Sequence, residues 1–356
     1  MIYLIFNFWS AALLVLVDNW RMSRAGEWLF WIIVFCVITI LPSLQYGVGY
    51  DYFNYLEIFN NDDVLSVYFR KEEYGFYYLV LVLRELGFAP QSLFFAASAL
   101  SSAAIVFCLR VLSGHGYKVA IVFICFFLIT GMMHNQMNGV RNYLAAYFFV
   151  CAMLSKFSNK FGLTILFSLF GLLFHQTFYA VAVFLLVPNF VYEFLSKRVL
   201  LFYFLFFAFW LSGAAMLLLE YMLGGYLSFY AHYAQYLSAG SSFFNVLTKL
   251  YYVPVHLWFL WYVRKSIPEF ARFELRLVGV WLLGSSLYLS LLHTELFYRA
   301  YHYFVFFSLI PSYYFLVYKY SKFVKFLFFL YIVIPYLAKV VAFPVGEYAY
   351  SSIIFR

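Results

Sequence analysis

The stretch that decides the fold lies at residues 28–44 and reads WLFWIIVFCVITILPSL. It carries no charge, and an α-helix needs about 20 apolar residues to cross a bilayer. A spanning segment must also satisfy its own backbone hydrogen bonds, which favours helices in all such runs. The sequence therefore predicts an all-α polytopic membrane protein with about 11–13 transmembrane or re-entrant helices, forming a single transmembrane domain over residues 1–356. The other apolar runs are 2–17, 74–88, 91–112, 119–133, 141–155, 161–177, 178–194, 199–219, 250–263, 277–292, 301–318 and 326–342.

The composition excludes a soluble globular protein. Apolar residues make up 66% of the chain and charged residues only 11%, whereas soluble domains have roughly half and a quarter. The net charge of +8 is spread between the runs rather than gathered in one stripe, so no nucleic-acid partner is expected. All four cysteines fall inside apolar runs, which predicts core residues rather than a disulfide or zinc framework.

The basic residues between the runs predict the orientation of the chain. Six short segments carry 15 of the 23 Lys and Arg residues, and the positive-inside rule places these segments in the cytoplasm. This orientation requires residues 161–194 to cross twice, as a hairpin that turns near His175 and Gln176. It also requires an odd number of crossings in 74–112, so one helix there is expected to be re-entrant or interfacial. The basic residues are Arg21, Arg24, Arg110, Lys118, Lys156, Lys160, Lys197, Arg198, Arg264, Lys265, Arg272, Arg276, Lys319, Lys322 and Lys325.

The opposite face receives five segments with most of the non-aliphatic side chains. In a bacterial inner-membrane protein this face is periplasmic. We expect a periplasmic loop at 45–73 and a tyrosine-rich periplasmic loop at 220–249. The other segments are 131–141, 293–300 and 343–356.

The first candidate site lies in segment 45–73, which reads QYGVGYDYFNYLEIFNNDDVLSVYFRKEE. Asp51 follows Tyr50 in a group of tyrosines, and Glu73 closes the segment where the next helix begins. Carboxylates accept hydrogen bonds from sugar hydroxyls and tyrosine rings pack on sugar faces, so this composition indicates glycan binding. The alternative is structural: acidic residues at a helix start often cap it, which we expect of Glu72 or Glu73.

The next candidates lie at residues 134–149, which read HNQMNGVRNYLAAYFF. His134, Asn138 and Arg141 are four and three residues apart, so one helical face can carry all three. Arg141 opens an apolar run and has no carboxylate within a turn. It either extends to the lipid headgroups or binds an anionic ligand, and its place on the acidic face favours the ligand.

His175 lies in the apolar stretch GLLFHQTFYAV at residues 171–181. An isolated histidine of this kind is either a hydrogen-bonded core residue or a functional group. The predicted orientation places it at the tip of a hairpin, on the same side as Asp51 and Arg141, which keeps the functional interpretation open.

A last cluster lies at residues 293–304, which read HTELFYRAYHYF. Glu295, Arg299 and His302 fall on one helical face. Glu295 and Arg299 can form an ion pair of small stabilising effect, but charges within a span usually serve a function. Arg299 is therefore the second candidate ligand for an anion.

The segment 220–249 repeats tyrosines, among them Tyr233, around His232. One interpretation is an amphipathic interfacial helix with a tyrosine belt. The other is a mobile lid over a carbohydrate site.

Several catalytic patterns are missing from the sequence. It has no Walker-type glycine loop, no H-E-x-x-H motif and no D-x-D pair. We therefore expect neither a metal site nor a cofactor.

Six motifs resemble those of the EpsG-type, Wzy-like polysaccharide polymerases, which build O-antigen or exopolysaccharide. The resemblance covers most of 45–336 and depends on the order and spacing of the motifs, while it covers 1–44 and 220–249 poorly. The chain departs from the family at Asn142, where Gln commonly follows the arginine. The motifs are YGVGYDYFNY at 46–55, EEYGFYYLV at 72–80, NGVRNYLA at 138–145, LLFHQTF at 172–178, RAYHYF at 299–304 and Ile334-Pro335-Tyr336.

The resemblance implies an enzyme of the bacterial inner membrane that joins oligosaccharide repeat units carried on undecaprenyl diphosphate. It implies a GT-C-like, metal-independent glycosyltransferase whose active site faces the periplasm and which inverts the anomeric centre. Arg141 and Arg299 would stabilise the leaving diphosphate. The general base would be one of three residues, His175, Asp51 or Glu73. The expected substrate-binding residues are Tyr50, His134, Asn138, Tyr233, Glu295 and His302.

Two other classes of function remain open. One is an O-antigen ligase or another polyprenyl-linked GT-C transferase, which differs from a polymerase in its acceptor. The other is a flippase or transporter of lipid-linked glycans, which needs polar residues along a path through its spans. The expected partners are the bilayer, undecaprenyl-diphosphate-linked oligosaccharides and, as a further candidate, a chain-length regulator protein.

Overall fold

The computed structural model describes residues 2–19, 23–212, 214, 217, 221, 243–290 and 298–355. Within these ranges the regular elements are helices, and strand pairing is limited to an isolated bridge between Gln45 and Ser352. The prediction of an all-α protein is confirmed. The chain divides into two compact units, Met1–Leu185 with Leu316–Arg356, and Leu186–Phe315.

The helices of the first unit begin and end at recognisable signals. Ser23 caps the second helix by accepting from the Gly26 N–H at 3.2 Å, and Asn61 caps the fourth by accepting from the Asp63 N–H at 3.0 Å. In chain order the helices are α1 (Ile2–Asn19), α2 (Arg24–Ser43), α3 (Tyr52–Asn60), α4 (Asp62–Arg70), α5 (Tyr74–Glu85), α6 (Ser92–Gly114), α7 (Val119–Cys125), α8 (Met132–Asn135), α9 (Val140–Phe157), α10 (Phe161–Phe174) and α11 (Phe178–Leu186). A π-helical turn at Phe126–Thr130 extends α7.

The second unit is also helical in the part that the structure describes. An ion pair between Arg276 and Glu193, with Nε and Oε1 2.8 Å apart, joins two of its helices. In chain order these are α12 (Asn189–Lys197), α13 (Val199–Leu211), α14 (Phe243–Leu250), α15 (Val253–Ser266), α16 (Arg272–Ser290), α17 (Tyr298–Phe304) and α18 (Ile310–Val317). The chain then returns to the first unit through α19 (Lys322–Leu337), which a π-helical turn extends over Ala338–Ala342.

Five helical segments of the described chain are long and apolar enough to cross a membrane, and the bent pair of α11 and α12 adds a sixth if it forms one span. This confirms a polytopic membrane protein. Three further apolar helices are shorter than a usual span. The five segments are Ile2–Asn19, Ala25–Ser43, Ser92–Gly114, Arg299–Val317 and Lys322–Ala342, and the shorter ones are Val119–Thr130, Phe161–Phe174 and Val199–Trp210.

The structure corrects the prediction for 45–73 and defines the helices of 74–112. The segment 45–73 is not a simple loop, because it contains the helices α3 and α4. In 74–112, α5 has 12 residues and α6 has 23, so α5 is about 18 Å long and α6 about 35 Å. Only α6 of the two reaches the length of a span, which agrees with the expected odd number of crossings.

The core of the first unit forms around α9, which packs against α6 and α10. Small residues of α9 such as Ala145 and Ala152 are fully buried, and small side chains allow helices to approach closely. The free thiols of Cys108 and Cys151 lie 3.6 Å apart in this core. Cys36 differs, since it is exposed on α2, and the prediction of a core residue is wrong for that cysteine.

Candidate active site

The backbone turn at the end of α4 places Glu73 in the protein interior. The Glu73 N–H donates to the Tyr68 carbonyl at 3.0 Å, and the Glu72 N–H donates to the Phe69 carbonyl at 3.0 Å. These two bonds form a Schellman motif, which requires a left-handed residue at the position of Glu72. Glu72 adopts φ 61°, although glycine is the residue that usually occupies this conformation. The chain thus accepts a strained residue in order to turn directly into α5.

Glu73 lies at the N-cap of α5, but its carboxylate makes no capping bond. The expectation that a side chain of Glu72 or Glu73 caps this helix is therefore wrong. Instead Glu73 is fully buried, with 0% exposure, and a buried carboxylate requires charged or hydrogen-bonding partners. It finds them on segments that are remote in the sequence.

Two residues share the Glu73 carboxylate, one on each oxygen. Oε1 accepts a hydrogen bond from His175 Nδ1 at 2.6 Å, and the backbone N–H of Gln176 approaches the same oxygen at 3.4 Å. Oε2 forms an ion pair with Nη1 of Arg141. Arg141 is 68 residues and His175 is 102 residues further along the chain. The tertiary structure therefore assembles a triad of Glu73, Arg141 and His175.

The charge state of Glu73 follows from these contacts. Burial would by itself raise the pKa of the carboxyl, but the hydrogen bond from His175 and the charge of Arg141 outweigh it and hold the pKa below its usual value. Glu73 is therefore ionised at neutral pH.

Arg141 lies one residue inside the start of α9, where the helix dipole disfavours a cation. Aromatic rings help to hold it, with Cζ 4.4 Å from the centroid of Tyr68 and 5.4 Å from that of Phe76. No carboxylate lies within a turn of Arg141 in the sequence, but Glu73 pairs with it from another segment. Arg141 is a cation at the unfavourable end of the helix dipole, and its carboxylate partner is remote in the sequence. This placement still indicates a functional role.

His175 lies at the C-terminal cap of α10, where φ −156° and ψ 127° end the helix. The chain then turns into α11, so the predicted hairpin tip at His175 and Gln176 is present. Close packing holds the tip in place: a Cβ on Gly171 would lie 2.1 Å from the Phe178 ring, and one on Gly75 would lie 3.0 Å from Leu173. The second contact joins α5, which begins directly after Glu73, to α10, which ends directly before His175.

Asp51 joins the triad region through the backbone. Its N–H donates to Asn138 Oδ1 at 3.0 Å, and Asn138 lies three residues before Arg141. Gly49, with φ 77°, packs so closely that an added Cβ would lie 2.7 Å from Asn138 Oδ1. Burial raises the pKa of Tyr68, which the charge of Arg141 opposes and the charges of Glu73 and Asp51 reinforce.

A known protein family matches most of the chain. The family model described as the EpsG family matches residues 28–352. The chain belongs to the EpsG family. This family is associated with polysaccharide polymerisation. No curated protein and no solved structure matches the chain.

The family match extends further than the motifs alone indicated. The motifs covered most of 45–336, whereas the match to the EpsG family begins at 28, includes 220–249 and ends at 352. It includes all residues of the triad as well as the segment with Arg299.

The EpsG-family chain places His134 away from the triad. Its side chain is completely buried, with Nε2 3.2 Å from the Tyr336 hydroxyl and its ring 4.2 Å from Tyr3. Burial, together with the charge of Lys339, lowers the pKa of His134 to about 3, which leaves it neutral. The expectation of one helical face over 134–141 is wrong, because α8 ends at Asn135 and α9 begins at Val140.

The other predicted site residues fall into three groups. Tyr50 is 75% exposed next to Asp51. In the second unit, Arg299 is exposed and His302 is buried, and both lie on α17. Glu295 and Tyr233 lie outside the described residues, and so does the predicted ion pair between Glu295 and Arg299.

Sequence reasoning missed the aromatic residues that flank Arg141, namely Tyr68 and Phe76. Their only signal was proximity in sequence to Glu73, within YFRKEEYGF. It also missed Gln91, whose Oε1 accepts from the Tyr52 hydroxyl at 2.8 Å and whose Nε2 donates to the Gln45 carbonyl at 2.9 Å. Gln91 thereby ties the segment before Asp51 to α6. In the described parts of the chain, no three His, Cys, Asp or Glu side chains gather as metal ligands, and metal independence of the reaction stays a prediction.

Proposed function

We propose that this EpsG-family protein is an integral-membrane glycosyltransferase that polymerises undecaprenyl-diphosphate-linked oligosaccharide repeat units. The observation that carries the proposal is the triad of Glu73, Arg141 and His175. It combines an oriented imidazole with a guanidinium in a chain of a polysaccharide-polymerising family. Transfer to a sugar hydroxyl with loss of a lipid diphosphate needs these two groups, a proton acceptor and an anion ligand.

His175 is the general base of the proposed reaction. Glu73 engages Nδ1, so Nε2 is the ring nitrogen left to accept the proton of the acceptor hydroxyl. The hydroxyl oxygen then forms a bond to the anomeric carbon as the bond to the diphosphate oxygen breaks, which inverts the anomeric centre. A carboxylate that orients histidine in this way also stabilises the imidazolium that forms.

Glu73 itself is poorly suited to be the base. Both of its oxygens already accept bonds from Arg141 and His175, and its lowered pKa reduces its affinity for a proton. We assign it the role of a positioning residue. Asp51 is the alternative base, since it is half-buried and keeps a carboxylate free of an ion pair in the described chain.

Arg141 is the proposed ligand for the diphosphate leaving group. Only Nη1 is engaged by Glu73, and a guanidinium has further N–H donors in a fixed plane. Since Glu73 compensates its charge, Arg141 contributes oriented hydrogen bonds more than net charge. Arg299, which lies in the second unit, stays a predicted diphosphate ligand.

The acceptor sugar is proposed to bind beside Asp51 and Tyr50. The exposed Tyr50 ring offers a flat apolar surface, and the Asp51 carboxylate accepts hydrogen bonds from hydroxyl groups. Both residues precede α3, whose position is linked to Arg141 through Asn138.

We place this site on the periplasmic face of the inner membrane. The three triad residues come from 45–73, 131–141 and the tip of the 161–194 hairpin, which the basic residues assign to one side. Their convergence in space supports this common side. A metal-free reaction and a chain-length regulator as partner complete the proposal.

The test is extension of a lipid-linked repeat unit by purified protein in nanodiscs, with product length read on gels. We expect a ladder from the wild type, no ladder from His175→Gln or Arg141→Ala, and no effect of a chelator. Arg84→Ala is the matched control, because Arg84 pairs with the exposed Asp62 at 2.5 Å and lies outside the triad.

Each of the other functions would give a different product. A single transfer to a different acceptor without a ladder would indicate a ligase. Movement of the lipid-linked glycan across the bilayer without transfer would indicate a flippase. Full ladders from both His175→Gln and Arg141→Ala would contradict the proposed site.

A further inference from the structure

The C-terminal strap, which we define as residues 344–355, folds back onto the segment that precedes Asp51. The Tyr46 N–H donates to the Ser351 carbonyl at 3.0 Å, and the Ile353 N–H donates to the Leu44 carbonyl at 3.0 Å. Gln45 and Ser352 face each other between these two bonds as an antiparallel bridge. Residues more than 300 positions apart are thus paired through their backbones.

Further contacts anchor the strap on both sides of this bridge. The Tyr350 hydroxyl donates to the Leu41 carbonyl of α2 at 2.9 Å, and the Tyr3 hydroxyl of α1 donates to the Glu347 carbonyl at 2.6 Å. Gln45 and Ser352 are only 1% and 4% exposed. Opening the strap would break these hydrogen bonds, each of which stabilises the closed strap.

The strap also contacts the two segments that lead to the candidate site. Gly346, with φ 58°, lies against Tyr50, such that an added Cβ would be 3.4 Å from the Tyr50 ring. Tyr348 reaches the start of α8, where its hydroxyl lies 3.1 Å from the Cβ position of Gly131, and its ring centroid lies 4.7 Å from that of His134. The segment from Gly131 leads on to Asn138 and Arg141.

These contacts hold the segment at the proposed acceptor site from two sides. The strap holds the chain at Tyr46 and Tyr50, and Asn138 holds the backbone of Asp51 from the other side. Tyr50 is exposed although its neighbours are packed, so its orientation depends on few contacts. Gly346 supplies one of them.

We propose that the C-terminal strap is a fixed part of the acceptor-sugar subsite, which positions Tyr50 and Asp51 for the incoming hydroxyl. This proposal rests on the proposed glycosyltransferase function. The strap stays closed during the reaction. Tyr50 and Asp51 contact the sugar, whereas Gly346 and the bridge at Ser352 act through them.

The first test locks the strap with a disulfide between Gln45→Cys and Ser352→Cys. Bridge partners of this non-hydrogen-bonded type have Cα atoms about 4.5 Å apart, which suits a disulfide. We expect the bond to form, as read by peptide mass mapping, and the oxidised protein to extend glycans as the reduced protein does. The single-cysteine variants are the controls. Loss of extension on oxidation, restored by reduction, would show that the strap must open and would overturn the proposal.

The second test crowds Tyr50 through Gly346→Leu, because a Cβ alone would be in ordinary van der Waals contact with the Tyr50 ring, whereas the leucine side chain extends beyond that position. We expect the KM for the acceptor repeat unit to rise about tenfold, a change of about 1.4 kcal/mol, with kcat and the thermal midpoint close to those of a control. Gly87→Leu is the matched control, because Gly87 has φ 74° and nothing within 4 Å of an added Cβ. It reproduces the backbone strain without the contact.

The outcomes separate the strap from the proposed function. A wild-type protein that extends no glycan refutes the glycosyltransferase function and the strap proposal with it. A wild-type protein that extends glycans, together with an acceptor KM in Gly346→Leu equal to that of Gly87→Leu, refutes the strap proposal alone.

Discussion

At the scale of single residues, Glu73 determines the state of the candidate site. It is buried, it is ionised, and it balances the charge of Arg141 while it orients His175. Removing one partner of a buried ion pair leaves the other charge uncompensated, which typically costs about 3 kcal/mol or more. A single carboxylate thus supports two groups that the proposed reaction needs.

Glu73 also makes the stability of the protein depend on pH. Its pKa is lower in the folded state than its ordinary value of 4.5, so its contribution is present above the unfolded pKa and is lost as the pH falls through the folded pKa. We expect the thermal midpoint of the wild type in detergent to fall below about pH 4.5 and that of Glu73→Gln to fall less over the same range. Unfolding followed by intrinsic fluorescence between pH 3 and pH 7 measures this. Parallel curves for the two proteins would exclude an ionised Glu73 as a source of stability.

At the scale of elements, the hairpin of α10 and α11 presents His175 through one close contact. Gly171 lets the helix pass the buried ring of Phe178, where any side chain would overlap the ring. Because α10 also touches α5 at Gly75, a shift of the hairpin moves His175 relative to Glu73.

We therefore expect Gly171→Ala to reduce glycan extension at least tenfold and to destabilise the protein by about 1–3 kcal/mol, since overpacking must move Phe178. Gly162→Ala in the same helix is the matched control, because nothing lies within 4 Å of its added Cβ. Extension assays and thermal midpoints of the two variants provide the comparison. Equal behaviour of the two would mean that the contact with Phe178 does not hold the hairpin.

At the scale of the whole molecule, the proposed membrane orientation assigns two exposed regions to opposite sides. The proposal places α4 in the periplasm and the turn between α9 and α10 in the cytoplasm. Asp62 and Lys160 are exposed residues of these two regions, and both are accessible to a labelling reagent.

In a variant without native cysteines, we expect a membrane-impermeant maleimide to label Asp62→Cys in spheroplasts. Lys160→Cys should react only after the membrane is permeabilised. The reverse pattern would place the triad on the cytoplasmic side and would contradict the positive-inside assignment.

The sequence by itself determined the helical membrane fold, the hairpin tip at His175 and the choice of Arg141 as a candidate site residue. These features depend on local composition: apolar length predicts the spans, basic residues predict the sides, and a charge in an apolar run is conspicuous. The same local reasoning suggested that Glu72 or Glu73 caps α5 and that His134 shares a helical face with Arg141. Both predictions were wrong, because a helix cap and a shared helical face depend on the tertiary structure as well as on neighbouring residues.

Only the tertiary structure decided which groups meet. Glu73 pairs with residues 68 and 102 positions away, and the strap pairs with the chain near Gln45. Such pairings leave no periodic signal, because they arise from the packing of α5, α9 and α10 and from the return of the C-terminus. The hydrogen-bond or ion-pair partner of a buried polar group such as Glu73 is set by proximity in space rather than by spacing in the sequence.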